Sequence, residues 1–399
     1  MQAAEAIGGN HFERFCAPQG DQEATQRLAW RRSAVRFQLL LALRNDHASK
    51  ELTYIIDQLS RASVDAKHRT LAAPEMALYI SALVSGSIPN VDIAVPVLAR
   101  VASLNSTAES REFAWTGALP LDYLPLGERV IRRPGKELYD PELVVNNDRI
   151  ELSSQNGDVP VGVDVETFGR ALADCSYRAH RLEIVDGWQP FSDLFNDGNV
   201  SVYFDQSSRV EFLEVLHQAV DLIEVVMPAA LDEMTETAQY LSPIRPTDSA
   251  TTALPSFSSP TLPGVIFVGT ERGDGRLIDV RHLAESCIHE HLHNRLYLLD
   301  EALPLTIKTA NPRSYFSPWK QAMRPVEAML HAVYVFSHLA WFWRCAGGKI
   351  DDLTEYAAKN VAVHVEHLTA ATEEIDINEL TPAGRCILSA STALLANLT

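Results

Sequence analysis

Paired cysteines are missing from this chain. Its five cysteines, Cys16, Cys175, Cys287, Cys345 and Cys386, are scattered, odd in number and form no Cys-x-x-Cys pair. That spacing argues against a disulfide framework or a zinc ribbon and reads as reduced thiols in the cytoplasm. Basic residues are also scarce: 34 Lys and Arg stand against 52 Asp and Glu, a formal net charge of −18. A nucleic-acid backbone is therefore not an expected partner, whereas an acidic surface suits solubility and a cationic partner. No basic-then-apolar segment opens the sequence, so no secretory signal is expected. No long hydrophobic run is present either. The longest, Ala328 to Trp343, carries His331 and His338 and is short for a bilayer span. It reads as a helix buried within protein, and no membrane partner is expected.

What is present is ample apolar material, 46% of 399 residues, enough for one large or two modest domains. The patterning predicts a mostly α-helical α+β protein in three stretches. Residues 1–104 form a helical N-terminal region: apolar stripes run through Arg27 to Leu43 and Leu52 to Leu59, and Pro74 opens another helix. Residues 105–241 begin with proline-rich loops and short strands such as Arg149-Ile150-Glu151-Leu152, then turn helical over Val165 to Leu182 and Arg209 to Tyr240. Residues 242–399 form the third stretch. Ser242 to Pro263 reads as a loop and Gly264 to Gly269 as a strand. Glu271 to Gly275 is a turn from which Arg276 to Val280 can pair back as a hairpin. A helix follows, then a loop from Pro304 to Trp319 and an apolar helix from Arg324.

The most specific chemical signal is His289-Glu290-His291-Leu292-His293, an H-E-x-x-H run. A helix places residues i and i+4 on one face, so His289 and His293 can offer two imidazoles to one metal ion with Glu290 beside them. The alternative is a solvated histidine-rich face. Against it, Leu283, Ala284, Cys287 and Ile288 before the motif, and Leu292, Leu296, Leu298 and Leu299 after its start, mark a largely buried helix. Buried histidines need partners.

A catalytic metal needs a third ligand. The helix from Arg324 carries its polar residues at Arg324, Glu327, His331, Ser337 and His338, and spacings of three, four and seven put Arg324, Glu327, His331 and His338 along one face. His331 and Glu327 are the two candidate ligands, and the residues alone leave both open. Arg324 pairing with Glu327 at i, i+3 is the plain alternative, and His338 reads as a core histidine. Asp300 and Glu301 are weaker options at the end of the motif helix.

Two chemistries follow from the motif. In a zinc peptidase, Glu290 is the general base on metal-bound water. The extended pattern of one large zinc-peptidase group needs Gly and His seven and ten residues after the first histidine, where this chain has Leu296 and Leu299. A downstream-glutamate zinc site would use Glu327. A non-haem iron(II) oxygenase instead takes two histidines and a third ligand on one face, leaving positions for a chelating keto acid and oxygen. Its keto acid needs a cation for the distal carboxylate. Arg324 is the expected anchor, with Lys320 and Arg295 as competitors.

The stretch HEHLHNRLYLLDEALPL from His289 to Leu305, then Tyr315-Phe316-Ser317-Pro318-Trp319, Arg324-Pro325, and Leu330-His331-Ala332-Val333-Tyr334-Val335-Phe336, resembles the H-E-x-x-H-motif peptide-modification family. That family is associated with ribosomally made, post-translationally modified peptides. The resemblance covers roughly residues 264 to 345 and is loose before them. It implies an iron(II)- and 2-oxoglutarate-dependent dioxygenase that hydroxylates the β-carbon of a residue in a precursor peptide. Iron would be held by His289, His293 and His331, with Glu327 open as an alternative third ligand. Arg324 would anchor 2-oxoglutarate, and Glu290 would serve a ligand or the metal itself. Zinc is the alternative metal. A peptide substrate could add to the edge of the strand at Gly264 to Gly269, or that strand is an ordinary edge.

Overall fold

The computed structural model describes residues 15–18, 20–46, 49–87, 89, 91–102, 104, 111–114, 118–120, 137–139, 141–145, 149–154, 161–164, 182–184, 200–201, 206–238, 240–246, 256–271, 275–309 and 313–398. These residues are mostly helical with small sheets, an α+β architecture. The first helices are α1 (Gln22–Asp46), α2 (Lys50–Arg61), α3 (Val64–Ala72), α4 (Pro74–Val84) and α5 (Val91–Ala102). Short strands follow: β1 (Arg111–Ala114), β2 (Ala118–Pro120), β3 (Glu137–Tyr139), β4 (Pro141–Val145), β5 (Arg149–Ser154), β6 (Val161–Asp164), β7 (Glu183–Ile184) and β8 (Val200–Ser201). Next come α6 (Gln206–Val226), α7 (Pro228–Thr237), β9 (Tyr240–Pro246) and β10 (Val265–Gly269). The chain then forms α8 (Val280–Ala302), β11 (Ser314–Ser317), β12 (Ala322–Pro325), α9 (Val326–Lys349), α10 (Thr354–Glu374) and α11 (Pro382–Ala396). No helix among the described residues is long and apolar enough to cross a membrane.

The chain divides into two compact units. One comprises Arg32–Leu213 and Gln239–Ile278. Its helices begin where local chemistry starts them: Ser49 and Ser63 cap α2 and α3 by accepting from the Leu52 and Ala66 backbone N–H, and Pro74 opens α4. Leu40, Leu52, Ile55, Leu59, Met76, Ile80, Val95, Leu98 and Val101 share one buried core. β1, β4, β5 and β6 form an antiparallel sheet, in keeping with the short strands expected there. The helix expected over 165–182 falls outside the described residues, apart from Leu182.

β9 runs parallel to both β7 and β10, which corrects two sequence expectations. Part of the expected loop, residues 242–246, is strand, and the expected hairpin is reduced to a short antiparallel contact just beyond β10, where the Ile278 N–H donates to the Thr270 carbonyl at 2.8 Å. Among the described residues one bridge joins Glu271 to Leu277, and Val280 already begins α8. β10 is buried at every position, as an all-apolar Val-Ile-Phe-Val run requires. Its other side is met by Phe257, whose backbone exchanges two 2.9 Å hydrogen bonds with Phe267 and whose ring stacks on it at 4.6 Å. That edge is therefore not open at Phe267 to an added peptide.

The other unit comprises Met1–Arg31, Glu214–Ala238 and Asp279–Thr399. Asp279 caps α8 by accepting from the Arg281 and His282 N–H, and Pro304 follows its C-terminus. α9 is buried at Leu330, Val333, Tyr334, Val335, Phe342 and Trp343, each worth about 1.5–3 kcal/mol of transfer from water. Trp343 also donates from Nε1 to Glu285 on α8 at 2.9 Å. The expected loop from Pro304 to Trp319 contains β11, which pairs antiparallel with β12 through a turn at 318–321. Arg324 consequently lies on a strand, and α9 begins two residues later than the sequence suggested.

Candidate metal centre

Motif helix α8 carries two different polar stripes. Residues two apart on a helix are about 200° apart, so His289 and His293 face one way while His291 and Arg295 face the other. The second stripe is a buried ion network. Glu233 on α7 lies 3.2 Å from Arg295 Nε and 3.5 Å from His291 Nε2. Thr25 donates its hydroxyl to the same carboxylate, and His291 Nδ1 is 2.7 Å from the Thr237 hydroxyl. Burial alone would raise the Glu233 pKa, but Arg295, His291 and Thr25 outweigh it and hold the carboxyl at about 2. The Arg295 guanidinium also lies over the Phe15 ring at 4.4 Å. This network fixes the rotation of α8, and with it the direction of the first stripe. Sequence reasoning missed Glu233; the available signal was a glutamate between Leu231 and Met234, both of them core positions.

The first stripe meets α9. His293 Nε2 is 3.2 Å from His289 Nε2, and His293 Nδ1 is 3.3 Å from His331 Nδ1. Tyr297 packs at 6.1 Å from His293 and 5.4 Å from His331, while Phe336 meets His289 edge-on at 5.2 Å and stacks against Trp319 at 4.6 Å. Burial lowers the pKa of His289 and His331 to about 4 and that of His293 well below its usual value. Lys320 adds its charge against His289 and His293. The three rings are therefore neutral at neutral pH, the state that metal ligation requires.

Glu290 is 3% exposed, and its Oε1 lies 3.9 Å from His289 Nε2. Glu327 is exposed in the first turn of α9, where a negative charge favours the helix N-terminus. His331 is 6% exposed, so the structure brings His331 to the histidine pair and leaves Glu327 at the surface. Arg324 is exposed on β12 opposite Tyr315, with no ion pair to another described residue. His338 sits in the core with Nδ1 2.7 Å from the Tyr334 carbonyl. Asp300 accepts from the Leu305 N–H at 2.8 Å and closes the end of α8.

Among the described residues no group of three or more His, Cys, Asp or Glu side chains is placed so that it could hold a metal ion. His293 offers Nε2 to one neighbour and Nδ1 to the other, so no single nitrogen of it faces both. Three neutral imidazoles are the kind of donor that ligates a metal, but as placed they do not share one centre. Two ligand nitrogens bound at about 2.1 Å with right or tetrahedral angles are roughly 3.0–3.4 Å apart; each neighbouring pair here has that spacing, but through a different nitrogen of His293. The χ2 torsion of histidine is soft, so the rings can reorient without backbone movement. No protein-family model matches the chain, and no curated protein matches it.

Proposed function

We propose that this protein is an iron(II)- and 2-oxoglutarate-dependent oxygenase that hydroxylates the β-carbon of a residue in a ribosomally made precursor peptide. The observation that carries the reading is the meeting of the half-buried His289 and His293 with the buried His331 in one neutral group. His289, His293 and His331 would hold the metal. Iron(II) bound there would supply oxygen activation, with half of the electrons that reduce oxygen coming from 2-oxoglutarate, oxidised to succinate and carbon dioxide, and half from the peptide C–H bond. Phe336, Trp319 and Tyr297 wall the cluster with apolar surface, which keeps water from the reacting groups. Glu290 fits a partner that hydrogen-bonds and orients a ligand. Lys320 supplies a positive charge on this side of the unit, and Arg324 on the adjoining strand is the other available cation. A cytoplasmic location rests on the scattered, odd-numbered cysteines of the sequence.

The test is incubation of the iron-loaded chain with a precursor peptide, 2-oxoglutarate and oxygen. One succinate formed per 16 Da gained on the peptide supports the reading, and peptide cleavage without succinate overturns it. A second reading, a zinc peptidase, is favoured by Glu290, whose carboxylate stands 3.9 Å from His289 Nε2, where a general base on metal-bound water is needed.

A further inference from the structure

The buried positions of α10 are Ala357, Val361, His364, Leu368 and Ala371. A histidine thus occupies a position where the spacing asks for an apolar residue. His364 is 7% exposed, and neither of its ring nitrogens has a hydrogen-bond partner among the described residues. The same holds for His367 Nδ1 and Trp319 Nε1. These rings gather around Phe336. His364 lies 5.3 Å from it, Trp319 stacks on it at 4.6 Å, and His367 meets Trp319 edge-on at 5.9 Å. On its remaining edge Phe336 touches His289. A buried polar atom left unpaired costs about 1–3 kcal/mol, so four of them around one ring weaken the fold. Apolar residues would have packed these positions better, and a bound group that pairs with the nitrogens accounts for their presence.

We propose that Trp319, His364 and His367 line a subsite beside the three-histidine cluster that takes a carboxylate, with Lys320 as its countercharge. The donor chemistry sets the ligand class. Indole Nε1–H only donates, each neutral imidazole donates from one nitrogen, and lysine only donates. A carboxylate only accepts, and charge-assisted bonds to it are the strong ones. Lys320 follows Trp319 in the β11–β12 turn, whose backbone is held by the Lys320 N–H donating to Ser317 Oγ at 3.4 Å. The carboxylate can belong to a free dicarboxylic acid or to an acidic side chain of a peptide. The subsite stands on the unpaired nitrogens, and it rests on the proposed oxygenase reading only for which of these owns the carboxylate.

Calorimetric titration of the full chain tests this with succinate and N-acetylaspartate methylamide, each against its neutral amide counterpart. At least one acid is expected to bind, about tenfold or more tighter than its amide. Lys320→Met and His364→Phe should each weaken that acid about tenfold or more, and Lys359→Met, at an exposed position of α10, should not. Trp319→Phe keeps the ring stack while removing the N–H, so it should weaken binding without loss of fold. The acid that binds identifies the owner of the carboxylate. Neither acid binding, or binding unmoved by His364→Phe and Lys320→Met, overturns the subsite. The iron and 2-oxoglutarate absorption band separates this from the oxygenase reading. A band retained in Lys320→Met and His364→Phe but lost in Arg324→Gln keeps the oxygenase and removes the subsite, whereas acid binding without a band does the reverse.

Discussion

His293 and His331 lie 38 residues apart in sequence, on two different helices, yet their Nδ1 atoms are 3.3 Å apart. Glu327, one helical turn earlier on the same helix, is exposed. This contrast makes the third ligand a measurable choice. His331→Ala should weaken metal affinity by more than the roughly 10–100-fold typical of losing an outer-shell partner, while Glu327→Ala should leave it within a few-fold. Competition with a chromogenic chelator reads both. A large loss in Glu327→Ala alone would place the ligand at the helix start instead.

Glu290 separates the two chemistries. Glu290→Gln keeps the side-chain shape and removes the base. Under the oxygenase reading, metal binding and the 2-oxoglutarate complex should survive, with turnover reduced less than in His289→Ala. Peptide cleavage by the wild type that Glu290→Gln abolishes, with metal retained, is the outcome a peptidase requires.

Behind the motif, Glu233→Ala leaves the Arg295 guanidinium buried without its 3.2 Å partner. Breaking one side of a buried pair costs about 3–5 kcal/mol, to be read from denaturant unfolding. The double variant Glu233→Leu/Arg295→Met should recover most of that loss, because neither charge is then stranded. Gly20→Ala should also destabilise. Its φ of +69° is a left-handed conformation, and a Cβ there would run into the Glu233 carboxylate.

The buried titratable groups make the fold acid-sensitive. Burial, reinforced by the Arg295 charge, lowers His338 from 6.5 to about 3. Between those values the unfolded chain takes up a proton that the folded chain refuses, so stability falls as pH falls through that window. Glu233 adds to this lower down. Its carboxyl is at about 2 when folded against 4.5 ordinarily, so its contribution is present above 4.5 and is lost as pH drops toward 2. Each group contributes a slope of at most about 1.4 kcal/mol per pH unit. His338→Phe should flatten the upper part of the stability–pH curve measured by urea unfolding, and an unchanged slope would contradict the assignment.

The parts of the site that were legible in the sequence are local. Asp279 caps α8 three residues before His282, Pro304 closes it, and four-residue spacing puts His289 and His293 on one face. Each follows from backbone geometry within one helix. Longer-range features were not legible. β11 and β12 are four residues each, too short for alternation to stand out, so the sequence alone places Arg324 at the start of the helix in line with Glu327 and His331. The parallel pairing of β9 with β10 joins segments about twenty residues apart, and Tyr240–Pro246 includes two prolines that argue against strand. Choosing His331 over Glu327 needed the packing of α9 on α8. His364 has a readable signal in the 4–3–4–3 spacing of Ala357, Val361, His364, Leu368 and Ala371, but a lone histidine at a core spacing names no chemistry until its unpaired nitrogens are seen.

The most direct measurement is anaerobic titration of the metal-free chain with iron(II) and 2-oxoglutarate, followed by visible absorption. The account predicts the weak charge-transfer band of a keto acid chelated to iron, present in wild type and absent in His289→Ala and His331→Ala. No band in the wild type, together with tight zinc binding by the same three histidines, would contradict the oxygenase and leave hydrolysis as the chemistry of this site.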